Sequence, residues 1–346
     1  YALSFDKYLI GERLWSENTP SGAIVFRFLG KNITTFCKGA IVLFKGLLHL
    51  YSRLMEEAQS KVLPVKQTIN CRGKLIDLSF PKVMGIINVT PDSFFDGGAL
   101  KSDADLLART EQQLEDGATF IDIGAMSSRP KSEEISESEE LNRLLPALES
   151  VHKAFPEAII SADTYRSGVA KVAIEHGASI INDISAGHLD PQMIPTIGKL
   201  GVPYIMMHMQ GTPQSMQDNP TYDALITDIL DYFLDRLRLI KEHGILDVIV
   251  DPGFGFGKTL NHNYEILDQL SNFKMLGHPI LAGLSRKSMI NKVLETKPSE
   301  AVNGTTALNM VALQNGANIL RVHDVKEAHE CIKLYSQLNL SRSLYD

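Results

Sequence analysis

The feature that most constrains the fold is a repeat of short apolar segments, each followed by a segment with helical periodicity. Eight apolar runs rich in Val and Ile occupy residues 83–89, 118–124, 157–163, 178–184, 202–209, 247–251, 278–284 and 317–323. The intervening helical segments include 104–115 and 222–242. Apolar runs of this length between helices are typical of buried parallel strands. Eight strand and helix units within about 260 residues predict a closed (β/α)8 TIM barrel.

Glycine recurs at one position of this cycle, between the end of a helical segment and the next strand. The six glycines concerned are Gly117, Gly177, Gly201, Gly244, Gly277 and Gly316. A left-handed helix terminus favours a residue that lacks a Cβ atom, so we expect these glycines to end helices. A doubly wound sheet usually has fewer strands and a glycine-rich first turn, which Val89-Thr90-Pro91 does not provide. The pattern therefore favours the barrel.

Two further segments precede the barrel. Residues 67–78 contain two short alternating runs about Arg72-Gly73-Lys74, which predict a β-hairpin at the amino-terminal mouth of the barrel. We therefore divide the chain into an N-terminal extension, 1–65, and a barrel domain, 66–346. Position 1 is Tyr rather than Met, so we expect a fragment, or a segment from upstream of the natural start.

The extension contains the most apolar run of the chain, residues 36–51, which Lys38, Lys45 and His49 interrupt. The run is short for a membrane-spanning helix, which needs about 20 residues. It does not have the position or the ending of a signal peptide. A loosely packed amphipathic helix is the favoured interpretation, and a helix lying on a membrane surface is the alternative.

Composition excludes some partners. A net charge of −7 without a long basic run argues against sequence-independent binding of nucleic acid. Three widely separated cysteines, Cys37, Cys71 and Cys331, form neither a CxxC pair nor the spacing of a secreted scaffold. We therefore expect reduced thiols in a cytoplasmic protein.

Polar side chains stand at the predicted carboxyl ends of the strands, where barrels of this kind assemble their active sites. In chain order they are Asn88, Asp122, Asp163, Asn182, His208, Asp251, Ser285, Lys287, Arg321 and His323. A single Asp at such a position is more often a turn or cap residue, but so many in phase are hard to explain as separate caps. Structural ion pairs at the barrel mouth remain an alternative interpretation.

The chemistry of these side chains divides the mouth into two parts. Asp163, Asn182 and Asp251, with Lys287, suit a flat heterocycle that presents several N–H donors. The second part is basic and amide-lined and suits a phosphate or diphosphate; it comprises Asn88, Arg129, Arg321 and His323.

The stretch DPGFGFGKT, residues 251–259, invites comparison with a nucleotide-binding loop. A Walker loop needs Gly six residues before its Lys, and position 252 is Pro, which lacks an N–H. The dinucleotide pattern fails because position 258 is Lys and position 260 is Leu. We therefore expect the three glycines to turn the chain tightly out of the barrel, and we exclude ATP as the ligand.

The order and spacing of seven motifs resemble those of the dihydropteroate synthases, the folate-pathway family inhibited by sulfonamides. They are MGIINVTPDSFFDGG (84–98), DIGAMSSRP (122–130), INDISAG (181–187), MHMQGTPQSMQ (207–217), DPGFGFGKT (251–259), LSRKSM (284–289) and RVHDV (321–325). The resemblance runs from about residue 67 to the end, and the first sixty or so residues lie outside it. It implies a transferase that joins 6-hydroxymethyl-7,8-dihydropterin diphosphate to p-aminobenzoate and releases pyrophosphate, with Mg²⁺ as cofactor.

The resemblance also implies roles for individual residues. The pterin site comprises Asp163, Asn182, Met207, Asp251 and Lys287; the diphosphate site comprises Ser128, Arg321 and His323; and the p-aminobenzoate site comprises Phe94, Ser128, Pro130, Phe256 and Ser288, with Arg129 nearby. Asn88 is expected at the magnesium ion. Lys287, Asp122 and Arg129 are expected to act in catalysis, and loops after the first two strands to close over the substrates.

One motif departs from the family. Members commonly have Gly-Gly-Glu-Ser-Thr-Arg-Pro-Gly where this chain has Gly-Ala-Met-Ser-Ser-Arg-Pro-Lys at 124–131. Ser128 keeps a hydroxyl, so p-aminobenzoate binding should survive, whereas Met126 removes a charge.

Two other functions share the pterin barrel. A methyltransferase acting on a methylated folate would use the heterocycle residues but would not need Asn88, Arg321 and His323 at a diphosphate. A non-catalytic pterin-binding protein would not need Lys287 and Arg321. We also expect a homodimer, formed through the last two helical segments, and no membrane partner.

Overall fold

The computed structural model describes residues 15–18, 24–28, 31–34, 65–90, 102–126 and 134–342. The chain divides into two compact units, Tyr1–Val62 and Leu63–Asp346. In the first unit, the strands β1 (Trp15–Asn18), β2 (Ile24–Phe28) and β3 (Lys31–Thr34) form an antiparallel sheet with β2 in the centre. These strands were not predicted from the sequence, and the helix predicted at 36–51 lies outside the described residues.

The second unit contains the predicted barrel. Its eight strands are β6 (Lys82–Asn88), β7 (Phe120–Gly124), β8 (Ile159–Asp163), β9 (Ile180–Asp183), β10 (Tyr204–Met207), β11 (Val248–Asp251), β12 (Leu281–Ala282) and β13 (Ile319–Val322). Neighbouring strands are parallel, and β13 pairs with β6. One isolated parallel bridge joins Val250 of β11 to Ile280, the residue before β12. The (β/α)8 prediction is confirmed.

The seventh predicted run, 278–284, yields only the two-residue strand β12. Pro279 has no N–H to donate to a neighbouring strand. The N–H of Ile280 donates to the side-chain Oδ1 of Asn318 at 3.0 Å. Because neither Pro279 nor Ile280 donates a backbone N–H to a neighbouring strand, regular strand pairing begins only at Leu281.

Helices surround the barrel. They are α1 (Asp103–Glu115), α2 (Glu137–Ala154), α3 (Ser167–Glu175), α4 (Met193–Leu200), α5 (Leu225–Glu242), α6 (Leu260–Asp268), α7 (Ser288–Leu294), α8 (Val302–Gln314) and α9 (Val325–Arg342). Short 3-10 helices cover Leu270–Leu276 and Pro298–Glu300. Helix α5 begins three residues after the predicted position 222, because the Asp228 carboxylate accepts the N–H groups of Asp223 and Ala224. Across the described ranges, no helix has both the length and the apolar character needed to cross a membrane.

The predicted helix-ending glycines adopt the expected backbone conformation. All six have positive φ, from 63° at Gly201 to 113° at Gly177. Gly201 is the left-handed C-cap of α4, and Gly277 ends a 3-10 helix in the same way. A residue with a Cβ would be strained at these positions. The positions of these glycines therefore predicted the helix ends correctly.

The hairpin before the barrel consists of β4 (Thr68–Cys71) and β5 (Lys74–Asp77), with Gly73 in the turn at φ 88°. Its inward side chains Ile69, Cys71 and Ile76 are buried, as is Leu78. They share one apolar cluster with residues from the starts of the barrel strands, namely Met84, Phe120, Ile159, Ile180, Ile205, Ile249, Leu281 and Ile319. The amino-terminal mouth is therefore filled with apolar side chains, which leaves the opposite end for polar chemistry.

Candidate active site

The parallel strands bring the predicted polar residues to one mouth of the barrel. Asp163 ends β8 and lies in register with Asn182 on β9, and Met207 ends β10 in register with Asp251 on β11. Asn88 ends β6 beside Gly124, the last residue of β7. His323 directly follows β13, and Lys287 lies in the loop after β12. Residues that are far apart in sequence therefore converge because of the barrel closure.

Arg321 of β13 binds the acidic residues across the mouth. Its Nε atom lies 2.6 Å from Asp122 Oδ2, and its Nη2 atom lies 2.6 Å from Asp163 Oδ2. Asn182 Nδ2 also donates to Asp122 Oδ2, at 3.0 Å. Burial lowers the pKa of Arg321, but the two carboxylates outweigh burial and raise it above its ordinary value. Structural ion pairs at the barrel mouth, the alternative interpretation of these residues, are therefore present. They join the predicted phosphate region, through Arg321, to the predicted heterocycle region, through Asp163.

The carboxylates retain capacity for a ligand. Burial, with a contribution from the Asp122 carboxylate, raises the pKa of Asp163 to about 7 against the opposing charge of Arg321. Asp122 is fully buried, and within the described part of the chain its Oδ1 atom has no hydrogen-bond partner. A buried carboxylate oxygen without a partner is unusual in a folded protein. Asp122 can therefore accept an N–H group from a ligand.

Asp251 is buried, and the half-buried Lys287 lies close enough for the two opposite charges to interact. Asp251 Oδ1 accepts the N–H of Gly253 at 2.7 Å, and Lys287 Nζ donates to the carbonyl oxygen of Phe254. Burial lowers the pKa of Lys287 to about 8, although the Asp251 carboxylate opposes this shift. A Cβ on Gly283 would lie 3.8 Å from Lys287 Nζ and 4.0 Å from Asp251 Oδ2. A side chain at position 283 would thus contact both charged groups.

His323 is oriented by the loop after β12. Its Nδ1 atom lies 3.0 Å from Ser285 Oγ, and its backbone N–H donates to the same oxygen at 3.2 Å. The neighbouring Arg286 and Asp324 form an ion pair with atoms 2.6 Å apart. Ser285 thus holds the imidazole by its Nδ1 side.

The predicted p-aminobenzoate residues are placed only in part. Phe94, Ser128, Arg129 and Pro130 lie outside the described residues. Phe256 is half-buried and packs on an apolar cluster that contains Met207, while Ser288 is exposed at the first position of α7. The Lys287 ammonium lies 4.7 Å from the centre of the Phe256 ring. Phe256 therefore adjoins the predicted heterocycle residues.

The loop 253–257 explains the glycines that resemble a nucleotide-binding motif. Gly253, Gly255 and Gly257 have φ values of 72°, 83° and 63°. A Cβ on Gly253 would lie 2.0 Å from the carbonyl oxygen of His208, so no other residue fits there without backbone movement. The three glycines let the chain turn tightly out of the barrel, as predicted, while it packs against the backbone of His208 and Gln210.

The contact between His208 and Lys258 was not predicted from the sequence. His208 follows β10, Lys258 follows the glycine loop, and both side chains are buried. Lys258 Nζ lies 3.0 Å from His208 Nδ1. A lysine just after three glycines, opposite a strand-end histidine, was the available signal, but spacing alone does not show which way the lysine points.

The donor set limits how a metal ion could bind. No group of three or more His, Cys, Asp or Glu side chains suited to a metal ion occurs in the parts of the chain that the structure describes. Asn88, the predicted metal residue, offers one amide oxygen at the end of β6. Mg²⁺ commonly binds through one or two protein oxygens together with substrate phosphates and water. Asn88 would therefore suit a magnesium ion held together with a bound diphosphate, and it does not fit a separate protein cage.

Known proteins share this architecture and sequence. The profile of the family described as "Pterin binding enzyme" matches residues 84–323. The dihydropteroate synthase of Haemophilus influenzae is 44% identical over 265 residues, which cover 76% of this chain and 96% of that protein. A structure of Yersinia pestis dihydropteroate synthase in a complex with a sulfonamide drug is 42% identical at a TM-score of 0.76, and the match covers 79% of this chain and 99% of that one. The Xanthomonas albilineans dihydropteroate synthase with 4-aminobenzoic acid is 35% identical at a TM-score of 0.73, covering 79% and 98% of the two chains.

Proposed function

Because the chain belongs to the dihydropteroate synthase family of pterin-binding enzymes, we propose that the polar side chains at its barrel mouth bind and activate a dihydropterin diphosphate. The enzyme is a transferase that condenses 6-hydroxymethyl-7,8-dihydropterin diphosphate with p-aminobenzoate to give 7,8-dihydropteroate and pyrophosphate. The observation that carries the residue assignment is the convergence of Asp163, Asn182, Asp251 and Lys287 on one mouth.

The pterin ring is bound by its hydrogen-bonding edges. Its amino and ring N–H groups donate to the carboxylates of Asp163 and Asp251 and to the Asn182 amide oxygen. Lys287 donates to a ring carbonyl or nitrogen. Asp122 Oδ1, which has no partner among the described residues, can accept a further N–H, and Met207 supplies an apolar contact. The buried setting strengthens each of these contacts.

The diphosphate is bound by Arg321 and His323, with Ser128 as a third contact. Arg321 has five N–H donors, and its Nε and Nη2 atoms pair with Asp122 and Asp163. We infer that its other donors bind phosphate oxygens. Asn88 would hold Mg²⁺ together with the diphosphate. Bound in this way, Mg²⁺ would stabilise the negative charge of the departing pyrophosphate.

The reaction needs no protein nucleophile. The bond between the pterin methylene carbon and the diphosphate oxygen breaks, and the electron pair leaves with pyrophosphate. The amine nitrogen of p-aminobenzoate then bonds to that carbon and loses a proton. The acidic residues stabilise the positive charge of the pterin, and the apolar cluster around Met207 and Phe256 excludes water from the reactive carbon.

The p-aminobenzoate site comprises Phe94, Ser128, Arg129, Pro130, Phe256 and Ser288. The 4-aminobenzoic acid complex of the Xanthomonas albilineans enzyme and the sulfonamide complex of the Yersinia pestis enzyme support p-aminobenzoate as a substrate, and the residue assignment itself rests on the matching sequence motifs. Phe256 adjoins Lys287 in the structure, so an aromatic amine stacked near Phe256 would be close to the pterin.

The activity can be tested with purified protein, Mg²⁺, dihydropterin diphosphate and p-aminobenzoate. We expect dihydropteroate and pyrophosphate in equal amounts, and a large loss of rate after chelation with EDTA. Calorimetry should detect Mg²⁺ binding only when the diphosphate is present, because Asn88 alone is a weak ligand. A folded protein that releases no pyrophosphate, or that binds methyltetrahydrofolate more tightly than the diphosphate, would contradict the proposal.

We propose that residues 66–346 are sufficient for this chemistry and that residues 1–65 form a separate domain. Every described residue assigned to the site lies in the second unit. A shortened chain that begins at Val65 keeps Lys66, whose Nζ binds Asp247, and should retain kcat and both KM values within about twofold. Steady-state kinetics will check this. A folded shortened chain without activity would contradict it.

We further propose a cytoplasmic homodimer. Exposed apolar side chains occur on the last three helices, namely Val293, Leu294, Val311, Leu334, Leu338 and Leu340. Such residues suit a surface shared by two copies of the chain. The buried Cys71 and Cys331 are free thiols, which suits a reducing compartment.

A further inference from the structure

Lys258 is a buried amine that the proposed chemistry does not use. Only 3% of its surface is exposed. Its Nζ atom lies 3.0 Å from His208 Nδ1, 3.2 Å from the carbonyl oxygen of His208 and 2.9 Å from that of Phe256. Three acceptors match the three N–H groups of an ammonium.

His208 can accept the hydrogen bond from Lys258. Burial and, to a smaller extent, the charge of Lys258 together lower the pKa of His208 to about 2. His208 is therefore a neutral imidazole, and its Nδ1 atom is free of a proton when it accepts from Lys258. Burial also lowers the pKa of Lys258, while the nearby Asp251 carboxylate opposes this shift. The pair joins the end of β10 to the loop after β11.

Lys258 supplies one of the hydrogen bonds that hold the backbone of the glycine loop, residues 253–257. Every carbonyl oxygen from 253 to 257 accepts a hydrogen bond; the donors, in order, are Phe256 N, Lys287 Nζ, Gln217 Nε2, Lys258 Nζ and Tyr222 OH. Lys258 holds the carbonyl of the one residue in this loop that has a proposed substrate contact, Phe256. The same amine contacts His208, which directly follows the proposed pterin contact Met207.

We propose that Lys258 is a positioning residue that places Phe256 for p-aminobenzoate binding by tying its carbonyl to the end of β10. This inference rests on the proposed role of Phe256 in the p-aminobenzoate site. A lysine with a general structural role would affect both substrates alike. A lysine that acts through Phe256 affects p-aminobenzoate selectively.

The test compares Lys258→Met with Lys171→Met, which changes an exposed lysine of α3. Methionine keeps the apolar stem and removes all three N–H groups. We expect Lys258→Met to raise the KM for p-aminobenzoate about tenfold, which corresponds to about 1.4 kcal/mol, and to leave the KM for dihydropterin diphosphate within about twofold. Lys171→Met should match the parent enzyme. Equal changes in both KM values, or no change, would overturn the inference.

A double-mutant cycle with Phe256→Ala tests the route of the effect. If Lys258 acts through Phe256, Lys258→Met should raise the KM for p-aminobenzoate no further once Phe256 is replaced by alanine. Additive effects would overturn the inference. Should Lys258→Met fail to fold, Tyr222→Phe removes the donor to the adjacent Gly257 carbonyl, and a KM for p-aminobenzoate identical to that of the parent would count against the proposal. Failure of the parent enzyme and of Lys171→Met to form dihydropteroate would instead refute the proposed function.

Discussion

Replacing Lys287 by methionine is expected to lower kcat/KM by about a thousandfold while the protein remains folded. The half-buried ammonium, whose charge interacts with that of Asp251, is the donor assigned to the pterin ring, and methionine keeps the stem without the charge. Loss of a charged donor in a water-poor site removes stabilisation that water cannot replace. Steady-state kinetics with both substrates, and circular dichroism to verify folding, will measure the effect.

Two further variants sharpen this prediction. Because the pKa of Lys287 is lowered to about 8, the ammonium predominates below that pH and is lost above it, so kcat/KM should fall as pH rises through about 8. Whatever activity Lys287→Arg retains should lack this alkaline decline, since arginine stays protonated. The exposed-lysine change Lys171→Met is the control. An unchanged alkaline limb in Lys287→Arg would show that another group causes it.

Arg321→Met is expected to destabilise the protein by about 3–5 kcal/mol, in addition to abolishing diphosphate binding. The change leaves the carboxylates of Asp122 and Asp163, both held at 2.6 Å by this guanidinium, without their shared cation. Protonation of Asp163 is the expected response, so its pKa should rise above the present value of about 7. Urea denaturation will give the free energy of unfolding, and NMR titration the pKa.

The matched control is Arg238→Met, which removes an exposed ion pair with Asp235 in α5. Its effect on the free energy of unfolding should stay within about 0.5 kcal/mol. Adding Asp163→Asn to Arg321→Met should recover part of the lost stability, because one uncompensated carboxylate is removed. If Arg321→Met were as stable as the parent protein, the ion pairs would not stabilise the barrel mouth.

The periodic elements of the barrel could be predicted because each leaves a local mark. Buried parallel strands are apolar throughout, and Gly117 or Gly201 marks a left-handed helix end that other residues avoid. The strands β1 to β3 were missed because they are four or five residues long and two of them are mostly polar, so neither alternation nor a long apolar run distinguishes them.

The candidate site could be predicted by residue type and position but not by pairing. Arg321 was assigned to the anion region because it stands at a strand end, and nothing local shows that β13 brings it against Asp122 and Asp163. The inward turn of Lys258 is likewise decided by His208, fifty residues earlier in the chain. Contacts of this kind depend on barrel closure, which sequence periodicity predicts in outline and not atom by atom.

The two-residue strand β12 makes the wall of the barrel uneven. On one side it pairs with β13 for two residues, and on the other a single bridge joins Ile280 to Val250 of β11. Local opening of a protein begins where backbone hydrogen bonds are few. The boundary between β11 and β12, which we call the seam, is therefore where the barrel should open most readily and where amide hydrogens should exchange soonest. Asp251 and Lys287 flank the seam. A pterin bound by both residues would span the seam, so bound substrate would hold the two sides of the barrel together where they share the fewest backbone hydrogen bonds.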